Sequence, residues 1–161
     1  MKQGGKLIEQ NVSFSIYRAG LSNSIRDIDV ALKQMKYMLD NNQSLLLKSK
    51  NKSEREIFFS QIWKAKDPTP LTEYNELMEE YFNRVNYTIE HFDGWEAGWE
   101  TDRGMVYILF GAPDEIDRFN SNNNLSKTKQ VWIYRKIGKE FSFTDQNGFG
   151  DFRLYYPFSL F

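Results

Sequence analysis

The sequence predicts an α+β domain, with N-terminal helices packed on one face of a four- to five-stranded, mainly antiparallel sheet. Apolar residues recur at three- and four-residue steps as far as Phe92. After Met105 they fall instead in short alternating runs, with Gly, Pro, Asn and Asp between the runs. Helices first and strands second is the order that segregates the two layers.

The chain has 161 residues, enough for one domain with a proper core. Its aromatic content of 16% supplies bulky side chains for that core. Lys+Arg 21 against Asp+Glu 22 leaves no basic excess, so no nucleic-acid partner is expected. Zero cysteines remove disulfide scaffolds, thiolate zinc sites and cysteine nucleophiles together. No apolar run approaches the roughly 20 residues of a membrane span. No cofactor or metal ligand set is apparent either.

Residues 12–17 alternate, with Val12, Phe14 and Ile16 against Ser13, Ser15 and Tyr17, the pattern of a half-buried strand. Such a strand needs a partner, either the sheet downstream or a preceding β-domain, so residues 1–20 are read as strand and linker that could end such an upstream domain, and residues 21–161 as a single α+β domain. Ser22 or Ser24 is the expected cap of the first helix, with Asp27 in its first turn. Ile25, Ile28, Leu32, Met35 and Leu39 form its apolar stripe, and Asp40-Asn41-Asn42 stops it. Residues 44–48 fit a helical turn or a buried strand equally well. Ser53 and Glu56 have capping-box spacing ahead of a helix carrying Ile57, Phe58, Ile62 and Trp63.

In Asp67-Pro68-Thr69-Pro70 each proline pushes the residue before it to extended backbone. Thr69 is the expected cap of a long helix, with Pro70 at its first position. That helix presents Leu71, Tyr74, Leu77, Met78, Tyr81, Val85, Ile89 and Phe92 on one face and closes at Asp93-Gly94. Asn75-Glu76 is a polar pair beside the apolar face, and a buried Asn75 would need hydrogen bonds, for which the connector backbone is the nearest source. His91, the single histidine, is placed to cap the helix end.

Residues 105–110 are continuous and apolar and predict a central strand. Gly111-Ala112-Pro113-Asp114 turns the chain into a strand over residues 115–119, and residues 120–129 form a polar surface loop. Residues 131–136 alternate, with Trp132 and Tyr134 on one face. Phe141 and Phe143 mark the next strand, and Phe152, Leu154 and Tyr156 the last, joined through Asn147-Gly148 and Gly150.

Between the two textures lies Gly98-Trp99-Glu100-Thr101-Asp102-Arg103-Gly104. Asp-x-Gly order predicts a hairpin turn closed by a left-handed glycine, with Trp99 in the core and Asp102 bonding turn amides. Paired-carboxylate chemistry would require Asp102 to stand close to Asp114, Glu115 or Asp145. Asp145 to Asp151 places oxygen-bearing side chains at alternate positions like a calcium loop, but Phe149 and Tyr156 stand where ligands belong. Trp95, Trp99 and Trp132 could stack on sugars, although core packing accounts for aromatics in a chain this rich in them. Trp95, Trp132, Asp114 and Asp145 are the candidate ligand-facing residues.

Taken together, Trp63, Asp67-Pro68-Thr69-Pro70, Asn75-Glu76, Tyr81, Arg84-Val85, Gly98 to Gly104, Tyr107-Ile108, Gly111, Pro113 to Ile116, Trp132-Ile133-Tyr134, Phe141, Phe143, Asp145 and Gly148 resemble the GWxTD domain family of bacterial envelope proteins. Lys66 departs from a common arginine, and Met105 from an expected basic residue. The resemblance implies the C-terminal domain of a longer exported protein, periplasmic or extracellular, preceded by β-sandwich sequence. It implies no catalytic residues. A looser likeness, at fold level, is to small outer-membrane assembly lipoproteins. The expected function is a non-enzymatic protein-interaction or structural module of the cell envelope, its partner another envelope protein. The alternative is a carbohydrate-binding or glycan-active domain using tryptophan platforms and paired carboxylates.

Overall fold

Asp27 opens the architecture seen in the computed structural model, which describes residues 27–72, 74–120, 128–145 and 147–155. The strand read at residues 12–17, the caps at Ser22 and Ser24, and Tyr156 lie outside those residues. The Asp27 carboxylate accepts the Asp29 amide at 2.8 Å, capping α1 (Ile28–Gln34), which tightens into a 3-10 turn at Met35–Tyr37.

The expected stop at Asp40 is also a start. Its carboxylate and the Gln43 side chain form a reciprocal capping box for α2 (Asn41–Ser49), which settles residues 44–48 as helical. The next capping box pairs Asn51 with Glu54, two residues ahead of the Ser53–Glu56 pair, and begins α3 (Lys52–Ala65). Asn caps as well as Ser, so overlapping signals favour the earlier start. Phe59, Ile62 and Trp63 are buried, while Ile57 faces solvent.

The long helix α4 (Glu76–Phe92) begins well after Pro70, which corrects the assignment of Thr69 as its cap. Asn75 caps it instead, and its side-chain amide bonds one backbone group in α4 and one at the end of α3. Oδ1 accepts the Met78 amide at 2.9 Å and Nδ2 donates to the Trp63 carbonyl at 2.8 Å. The partner is therefore the end of α3 rather than the proline connector. Met78, Tyr81, Phe82, Val85 and Thr88 are buried, whereas Leu71 and Leu77 are exposed.

The main correction concerns residues 105–110. They are helical, in α5 (Asp102–Phe110), and not a central strand. Thr101 caps this helix, its hydroxyl accepting the Gly104 amide at 3.0 Å. A six-residue apolar run has no periodicity that separates strand from helix. This helix is apolar all round because it is covered on two sides: Ile108 joins a helical core with Met35, Trp63, Phe82 and Val85, while Val106 joins a sheet core.

Strands β1 (Glu115–Asn120), β2 (Thr128–Tyr134), β3 (Lys139–Asp145) and β4 (Phe152–Leu154) form a four-stranded antiparallel sheet in that order. The register sets Ile116 beside Trp132, Trp132 beside Phe141 and Phe143 beside Leu154. These residues share one face, and α5 and the end of α4 pack on it through Val106 and Phe92. The fold is α+β, with helices on one face of the sheet.

Candidate functional site

Gly98 lies against Thr88 of α4 on one side and Gly104 of α5 on the other. A Cβ there would lie 1.8 Å from the Thr88 carbonyl oxygen, and one at Gly104 would lie 1.9 Å from the Gly98 oxygen. Neither glycine has positive φ, so both are required by close backbone approach and not by a left-handed turn. The hairpin expected over Thr101 to Gly104 is thus replaced by a helix start. Asp93 Oδ1 accepts the Gly98 amide at 2.7 Å, and the Thr101 hydroxyl donates to the Gly98 carbonyl at 2.8 Å. Trp99 is half-buried against the helical core, its carbonyl accepts the Tyr37 hydroxyl at 2.8 Å, and Lys36 lies 5.0 Å above its ring.

Asp102 and Arg103 tie the same corner to the sheet. The Asp102 carboxylate accepts the Leu154 amide at 2.7 Å, closing the edge of β4 from the first turn of α5. The Arg103 guanidinium lies 4.2 Å from the Phe152 ring and 4.9 Å from the Phe92 ring. It also reaches the Gly150 carbonyl at 3.4 Å. Burial lowers the Arg103 pKa, and the charge of Asp145 opposes that shift.

Asp145 is 4% exposed and accepts the amides of Asn147, Gly148 and Gly150 at 3.3, 2.9 and 2.8 Å. Asn147 accepts the Phe149 amide, and Asp151 pairs with Arg153 at 2.8 Å. The oxygens that suggested a calcium loop therefore build the turn between β3 and β4, in which Gly148 and Gly150 take positive φ.

The remaining singled-out residues lie elsewhere. Asp114 accepts the Arg135 amide at 2.7 Å, and Glu115 pairs with the Arg135 side chain at the start of β1. Asp67 accepts the Thr69 amide at 2.9 Å, and the Thr69 hydroxyl donates to Glu76 at 2.6 Å, which lowers the Glu76 pKa. With Asn75 they brace the passage from α3 to α4. Trp132 is 2% exposed, inside the sheet core. His91 stacks on Tyr87 at 3.9 Å with its Nδ1 2.9 Å from the Tyr87 carbonyl.

The structure brings together Gly98 to Gly104 with Asp145 and separates them from Asp114 and from the α3–α4 brace. Beside this corner two loops project. Trp95 is 86% exposed and Phe149 75% exposed. Arg153 joins the loops, reaching Glu96 at 3.0 Å and Asp151 at 2.8 Å. Sequence reasoning considered Trp95 but missed Phe149, whose only local signal is its place between two glycines.

The family model described as GWxTD domain matches residues 8–152. No curated protein and no solved structure matches.

Proposed function

The chain belongs to the GWxTD domain family, and from that premise we propose a non-enzymatic protein-interaction module of an exported bacterial cell-envelope protein, docking a partner through the Trp95 and Phe149 loops. One observation carries the reading: two large aromatics are 86% and 75% exposed on loops that are fastened rather than free. Asp145 holds the β3–β4 turn through three amides, and the Arg153 pairs tie it to Glu96. Aromatic side chains with few rotatable bonds, carried on braced loops, are the usual anchors of an interface because little freedom is lost on docking. The polar groups of the motif support this surface: Thr101 and Asp102 bond backbone, and Arg103 lies between rings.

The test is capture of envelope proteins by the purified chain and by Trp95→Ala/Phe149→Ala. Both side chains are exposed, so the variant should keep its melting temperature and lose a partner held by the wild type. Capture identical in both would refute the reading. Fractionation of the parent protein with the periplasm or cell surface tests the location. A second reading, glycan binding, draws on the exposed Trp95 indole, whose face suits a sugar ring. Oligosaccharide titration that quenches Trp95 emission would favour it.

A further inference from the structure

We propose that the Trp95–Phe149 surface receives an extended basic segment of a protein partner, with Lys or Arg side chains stacked on the two rings. This rests on the interaction-module reading and adds the chemistry of the occupant. Residues 93–103 and 147–153 carry five carboxylates, Asp93, Glu96, Glu100, Asp102 and Asp151, against two arginines. Lys36 also lies near this corner, 5.0 Å above the Trp99 ring. Both arginines are engaged: Arg153 with Glu96 and Asp151, and Arg103 between Phe92 and Phe152. The two loops therefore combine exposed aromatics with a formal surplus of carboxylates. Burial raises the Tyr37 pKa first, and Glu100, Asp102 and Glu96 raise it further.

Complementarity follows from this surplus. A cation gains from an aromatic face, and the surrounding carboxylates steer it there. Arg103 already makes the same contact inside the molecule, over Phe92 and Phe152. An acidic segment would be repelled, and a neutral one would forgo the electrostatic contribution.

The experiment is a fluorescence titration of the full chain with short Arg-Ser, Gln-Ser and Glu-Ser repeat peptides. Trp63 and Trp132 are 3% and 2% exposed, so a ligand-dependent change reports mainly on Trp95 and the half-buried Trp99. The Arg-Ser peptide should bind about tenfold or more tighter than Gln-Ser at low salt and weaken as salt screens the contact. Phe149→Ala, which leaves the Trp95 reporter in place, should weaken the binding strongly, and Glu100→Gln should weaken it without changing the melting temperature. Equal binding of all three peptides, or none by Arg-Ser, would overturn the basic-segment inference. Loss of partner capture by Trp95→Ala/Phe149→Ala, measured separately, would still uphold the interaction reading, so the two failures are distinguishable.

Discussion

Gly98→Ala tests whether the corner is held by backbone contact. A new Cβ would stand 1.8 Å from the Thr88 oxygen, 2.5 Å from the Thr88 carbon and 3.0 Å from the Asp93 nitrogen. All three are backbone atoms, two of them within α4, so no flexible side chain can yield. The oxygen would have to retreat by more than about 1 Å, which opens the last turn of α4 and costs about 3 kcal/mol as overpacking. Losing the Gly98 amide bond to the Asp93 carboxylate adds about 1.5 kcal/mol. A total of roughly 4–5 kcal/mol is a large part of a typical domain's 5–15 kcal/mol. At about 2–4 °C per kcal/mol for this size, the melting temperature should fall by about 8–20 °C. Gly94 is the internal control: a Cβ there meets nothing within 4 Å, and its φ is not positive. Gly94→Ala should leave stability unchanged or raise it by up to about 1 kcal/mol through the unfolded chain. Thermal unfolding by circular dichroism reads both variants. A Gly98→Ala protein melting within about 3 °C of wild type, or a Gly94→Ala protein falling as far as Gly98→Ala, would refute the close-contact account.

Three further outcomes are expected. Asp102→Ala should cost about 1.5–3 kcal/mol and speed exchange of the Leu154 amide, whereas Asp102→Asn, which keeps an acceptor, should lose less; equal exchange in both variants would remove Asp102 as the clasp of the β4 edge. Asn75→Asp should be destabilised by about 2 kcal/mol or more at neutral pH and partly recover in acid, although Asp is ordinarily as good a cap. Here Nδ2 donates to the Trp63 carbonyl, and a buried carboxylate would face that oxygen instead; a pH-independent melting difference would contradict this. The third concerns alkaline pH. Burial pushes the hydroxyl pKa values of Tyr37, Tyr81 and Tyr134 above the usual phenol value of about 10, so the folded chain holds these protons more tightly than the unfolded one. Their contribution is therefore complete below about pH 10 and is lost as pH rises above it. Tyrosinate absorbance for these three should rise only with unfolding, and early titration with near-ultraviolet dichroism intact would be inconsistent with their burial.

Legibility from sequence varied with the number of sides on which an element is covered. The alternation of Trp132 and Tyr134, then Phe141 and Phe143, marked strands with one buried face, and those residues are inward-facing. The stripe through Met78, Tyr81 and Val85 marked α4 for the same reason, since one-sided burial leaves a period in the chain. Residues 105–110 left none, because α5 is packed between two cores. Caps were recognisable as a residue type but not as a position: Asn51 and Ser53 compete locally, and Asn75 prevailed over Thr69 through its bond to Trp63, twelve residues away.

The candidate site was legible in part. Gly98 to Gly104 stood out as the junction of two textures, yet the purpose of its glycines could not be read locally. Gly104 looked like a turn glycine and is needed for contact with Gly98, itself wedged against Thr88. Asp102 and Leu154 meet across 52 positions, a separation no local pattern encodes.

By itself, then, the sequence determined the family, the α+β class and the one-sided elements, since each of these is written in periodicity or in a local motif. Only the tertiary structure decided which of three similar tryptophans meets solvent, with Trp95 at 86% exposure and Trp132 at 2%. The physical reason is that exposure depends on what folds over a side chain, and for Trp132 that cover comes from Phe92 and Tyr107 on helices earlier in the chain.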